Sequence, residues 1–101
     1  MDTKLLISEA KARFNHNSAK AYLKDKYESK LIVAEQGGLW KADAQTISLL
    51  SSFMLLEIVV MDTFGNPVKV NRVELLEKLQ DIYATVMEEW YNEWSELEAK
   101  R

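Results

Sequence analysis

The sequence predicts an α+β fold in the order α-α-β-β-α-β-β-α, a small antiparallel sheet of two hairpins packed by helices, with a long C-terminal amphipathic helix. Three observations carry this. The stretch from Arg72 to Lys100 has no Gly or Pro and repeats apolar residues at three- and four-residue steps. Two β-prone pairs of segments each bracket a glycine-containing turn. With 101 residues, 48% hydrophobic and 29% charged, the chain suits one packed domain over 1–101 and lies far from the composition of disorder.

Along the chain, Asp2 or Thr3 is expected to cap a first helix in which Leu6, Ala10, Arg13 and Phe14 fall at helical spacing. The turn-forming run Asn15-His16-Asn17 then ends it. Asn17 or Ser18 opens a second helix whose inward face holds Tyr22, Leu23 and Tyr27 between lysine stems. The period changes at Leu31-Ile32-Val33-Ala34, and Gly37-Gly38 turns the chain into a returning strand, Leu39-Trp40-Lys41. Asp43 caps a short helix through Ile47, Leu49 and Leu50, and Leu55 to Met61 reads as a buried strand.

A two-residue turn at Gly65-Asn66 sets Phe64 opposite Pro67, Thr63 opposite Val68, Asp62 opposite Lys69 and Met61 opposite Val70. Met61, Val68, Val70 and Val59 then share the packed side. Asn71 caps the last helix, with Glu74 placed for a capping box. Its seam of Leu76, Leu79, Tyr83, Val86, Trp90 and Leu97 is widened by Leu75, Ile82, Met87, Tyr91 and Trp94. At 1.5 Å per residue this helix is roughly 40 Å long, against a diameter of very roughly 30 to 35 Å for a domain of this size. It is therefore expected to overhang its core at the aromatic end.

Composition excludes several functions. Without Cys there are no disulfides and no thiolate metal sites. The longest apolar run, Phe53 to Met61, is interrupted by Glu57 and is too short to span a bilayer, and Met1 to Ile7 does not read as a secretory signal. A cytoplasmic protein is the expectation. Charge is uneven: residues 1–30 carry seven Lys/Arg against four Asp/Glu, and residues 57–101 carry five against ten.

Chemistry finds little to work with. His16 stands alone in its turn, so no catalytic residue is assigned and no enzyme is expected. Glu89, Glu93 and Glu96 lie at i, i+4, i+7 and could gather a hard cation, but acidic ridges opposite an apolar stripe are ordinarily solvated; no metal and no cofactor are assigned. Gly37-Gly38 lacks the further glycines and the Lys-Ser/Thr pair of a phosphate loop. The expected function is a non-enzymatic interaction or assembly module, docking a protein partner or a second copy, as a homodimer, through Tyr83, Val86, Trp90, Tyr91, Trp94 and Leu97. The alternative is a nucleic-acid accessory protein using Lys11, Arg13, Lys20, Lys24, Lys26 and Lys30 with Phe14, Tyr22 and Tyr27.

The segments Glu35 to Lys41, Asp62 to Val70 and Glu88 to Trp94 resemble those of small accessory proteins of contractile-tailed bacteriophages, particularly those infecting cyanobacteria. The resemblance implies a viral assembly or host-interaction factor and assigns no residue a role.

Overall fold

A computed structural model describes the backbone of residues 3–100 and the side chains of Lys11 and of residues 15–100. The Asp2 cap and the side chains of Leu6, Ala10, Arg13 and Phe14 lie outside the described residues. The fold is α+β, built from α1 (Thr3–Lys30), β1 (Ile32–Glu35), β2 (Gly38–Lys41), α2 (Ala44–Ser51), β3 (Glu57–Met61), β4 (Pro67–Asn71) and α3 (Arg72–Ala99). The two expected N-terminal helices are one: α1 runs without a break through Asn15-His16-Asn17. No Gly or Pro interrupts residues 3–30, and mid-helix Asn or His costs only a few tenths of a kcal/mol each relative to good helix formers, which packing readily outweighs.

The hairpins do not share a sheet. Each forms its own two-stranded antiparallel ribbon, β1 with β2 and β3 with β4. In the first, Glu35 pairs with Gly38 and Val33 with Trp40. The loop is thus Gln36-Gly37, both at positive φ as a type I′ turn requires, one residue earlier than the two glycines suggest. Gly38 serves a different purpose: the Trp40 indole folds back over it, and a Cβ there would stand 2.6 Å from the ring. The indole Nε1–H donates to Glu35 O at 2.8 Å, which satisfies the one polar atom of a buried tryptophan.

The second hairpin departs from its expected register. Met61 pairs with Pro67, Val59 with Lys69 and Ile58 with Val70. A shift of three residues, being odd, exchanges the faces. Ile58, Val60 and Val70 are buried, while Val59 and Met61, expected inside, are both 62% exposed. The cause is Asp62. Its Oδ1 accepts the N–H groups of Phe64 and Asn66, its C=O accepts from Gly65, and its N–H donates to Asn66 O, closing a five-residue loop in place of the two-residue turn. The strand also begins at Glu57, leaving Leu55 and Leu56 exposed in the connection from α2. Arg72 pins this connection: its N–H donates to Leu56 O and its guanidinium to Leu55 O and Leu50 O.

Both expected caps are present. The Asp43 carboxylate accepts from Thr46 N–H at 2.8 Å and the Asn71 side chain from Glu74 N–H at 3.1 Å. The return half of a capping box is supplied from elsewhere, because Asn71 N–H donates to Gln36 Oε1 at 2.7 Å. Gln36 Nε2 also donates to Asn71 O, so one amide side chain ties the turn of the first hairpin to the end of the second.

A single core joins the elements: Leu23 and Tyr27 from α1, Leu31 just after it, Trp40 from β2 and Ala42 just after it, Leu50 from α2, Ile58, Val60 and Val70 from the second hairpin, and Leu75, Leu79 and Val86 from α3. α3 packs on α1, α2 and β4, and the part that carries Glu89, Glu93 and Glu98 meets α1. The molecule is long, with extents of 66 × 24 × 20 Å.

Candidate interaction surface

Three ion pairs fix how the terminal helices meet. Lys30 Nζ lies 3.4 Å from Glu89, Lys26 Nζ 2.6 Å from Glu93 and Lys20 Nζ 2.6 Å from Glu98. One set of numbers falls as the other rises, so α1 and α3 run antiparallel, and the opposite charges of the two ends of the chain meet within the molecule. His16 Nε2 is 3.4 Å from Glu98 Oε1, and residues 3–15 of α1 lie beyond this last pair. At 1.5 Å per residue they add about 20 Å. The overhang expected of α3 belongs to α1.

Glu93 is the centre of this seam. Its Oε1 accepts from Lys26 Nζ and from the Tyr27 hydroxyl. The hydrogen bonds from Lys26 and then Tyr27 hold the Glu93 carboxyl below the usual glutamate range. The same carboxylate, acting first through its hydrogen bonds, raises the pKa of Lys26 and of Tyr27. Lys20 similarly lowers that of Glu98. The Tyr27 ring stacks on Trp90 at 6.0 Å between centroids with an interplanar angle of 10°.

This packing divides the six residues expected to meet a partner. Val86 is buried, and Tyr83, Trp90 and Leu97 pack against the core. Tyr91 and Trp94 are not covered, at 64% and 40% exposed, and their rings stack on each other at 6.2 Å. Met87, four residues before Tyr91, completes an exposed i, i+4, i+7 stripe. The apolar arc of α3 is wider than one neighbouring helix can cover, and α1 takes the side centred on Val86 and Trp90. Composition signalled the arc; which half α1 occupies depends on the tertiary pairing.

Other expected sites sort as follows. Glu89 and Glu93 face lysines of α1, and among the described residues no group of three or more His, Cys, Asp or Glu is placed to hold a metal ion. Lys20, Lys26 and Lys30 are engaged with α3, while Lys11 and Lys24 are exposed. Tyr27 lies in the core, and Tyr22, expected to face inward with it, is exposed. No described helix is long and apolar enough to cross a membrane.

A second apolar surface was not anticipated. Phe53, Met54, Leu55 and Leu56 after α2, with Val59 and Met61 on the outer face of β3, are all exposed. The signal available was the length of the run from Phe53 to Met61, which two-residue alternation in a strand cannot bury on one side.

No protein-family model matches the chain, and no curated protein or solved structure matches it either. The resemblance to phage accessory proteins rests on the three sequence segments alone.

Proposed function

We propose that the protein is a non-enzymatic interaction module, an assembly or accessory factor of the kind the phage resemblance suggests, that docks a partner helix along Met87, Tyr91 and Trp94 of α3. The observation that carries this reading is the pair of stacked, solvent-facing aromatic rings beside a seam already filled by α1. An apolar stripe at this spacing is the recognition pattern of helix-in-groove and helix-on-helix docking, and Tyr and Trp are the side chains on which binding energy concentrates. Glu88, about 100° round the helix from Met87, is exposed on the flank away from α1. The complementary partner is an amphipathic helix with Lys or Arg beside its apolar stripe.

Affinity capture from the native host tests this, with the wild-type chain and a Tyr91→Ala/Trp94→Ala variant as baits. Both residues are exposed, so the variant should unfold at nearly the wild-type denaturant midpoint. The expected result is a protein retained by the wild type and lost by the variant. Equal retention by both baits, or retention by neither, overturns the reading.

A further inference from the structure

The two free edges of the second hairpin are not equally protected. Asp62 N–H donates to Asn66 O and Arg72 N–H to Leu56 O, so residues 56, 58, 60 and 62 exchange hydrogen bonds with β4. The intervening residues, Glu57, Val59 and Met61, turn their N–H and C=O groups away from β4, as antiparallel pairing requires. By the same alternation the outer edge of β4 presents Pro67, Lys69 and Asn71. That edge is blocked at both ends, since Pro67 has no N–H and both main-chain groups of Asn71 are taken by Gln36, and the residue between them is the charged Lys69. On the β3 edge Thr63 N–H reaches Leu39 O at 2.9 Å, and among the described residues no hydrogen bond reaches the outward groups of Glu57, Val59 or Met61. This edge has neither Pro nor Lys, the usual protections of an exposed strand.

We infer that two copies of this chain join through β3, antiparallel about a twofold axis at Val59, to form one four-stranded sheet. The open residues are symmetric about that position. Pairing Val59 with Val59 of the partner subunit sets Glu57 opposite Met61 on each side, so every open residue of one edge meets an open residue of the other with no like charges opposed; the ladder stops there, because Thr63 N–H is taken by Leu39 O. The exposed apolar connection that precedes β3 in each copy then approaches the Met61 end of the other's β3. There a depression of about 210 Å³ opens between Met61, Thr63, the β2 residues Trp40 and Lys41 and the α2 residues Thr46 and Leu49. Met54, 94% exposed, is the barest large apolar side chain described and lies on this connection. A surface that fits itself about one axis is what a twofold dimer requires, and it lies apart from the α3 stripe.

Light scattering on the full chain from low to high micromolar concentration tests the inference. The wild type should rise to the mass of two chains. Val59→Pro should return it to one, with circular dichroism unchanged, because the lost N–H faces away from β4. Val59→Lys, which keeps the N–H and leaves the hairpin bonds untouched, should weaken self-association at least tenfold. A wild type that keeps the mass of one chain throughout overturns the inference, as does a dimer that persists in Val59→Lys. A dimer dispersed by Tyr91→Ala/Trp94→Ala but not by Val59→Lys also overturns it and assigns self-association to α3.

Discussion

The two hairpins solve one problem by different means. The first reverses in two residues, Gln36 and Gly37, through backbone conformations at positive φ, and its partner strand is then held by Trp40, buried over Gly38. The second reverses in five residues around one carboxylate, and its strands bury only one face. The first hairpin is therefore expected to depend chiefly on packing, whereas the loop of the second depends on a charge and responds to pH.

The most damaging way to break the contrast is at the indole. Trp40→Ala removes a core side chain and its hydrogen bond to Glu35, and should cost about 3–5 kcal/mol in urea unfolding. The second hairpin has no side chain of comparable size in the core. Gly38→Ala probes the same packing from the other side. A methyl group 2.6 Å from the ring must displace it, and destabilisation of about 1–3 kcal/mol is expected; a neutral result would show that the indole is free to move.

The smallest effect sharpens the other half. Hydrogen bonds, chiefly from Asn66 and then from Leu39 and Phe64, lower the Asp62 pKa from its ordinary 3.8. The folded protein thus binds this proton less readily than the unfolded chain. The resulting stability is present above about pH 4 and is lost as pH falls through the lower folded-state value. Glu93 and Glu98 act in the same direction from an ordinary 4.5. Asp62→Asn should therefore lose less stability between neutral pH and pH 3 than the wild type, with thermal midpoints at the two pH values as the measurement. Identical losses would show that the carboxylate does not hold the loop.

The same contrast explains what could be read in advance. Local chemistry was legible: Asp43 and Asn71 as caps, the glycine turn after β1 and the uninterrupted run of α3 all follow from residues within four positions of one another. The second hairpin misled because Gly65-Asn66 satisfies a two-residue turn rule locally, while Asp62 offers a longer closure with more hydrogen bonds. Asn15-His16-Asn17 likewise has turn chemistry, yet it lies in α1 where His16 and Lys20 approach Glu98. Of the six surface residues, Tyr91 and Trp94 could not be separated from Val86 and Trp90 by periodicity, since all belong to one wide arc. Only the antiparallel placement of α1 divides them.

That placement also has a kinetic side. Tyr27 and Glu93 are 66 residues apart, whereas each hairpin closes over a handful. Closing the longer loop carries roughly 2 kcal/mol more chain entropy than closing five residues. The hairpins and α3 are thus expected to organise first and to present the face of Val86 and Trp90, onto which α1 docks last. The first helix in the chain is then the final piece to settle, and the first to leave when the protein opens.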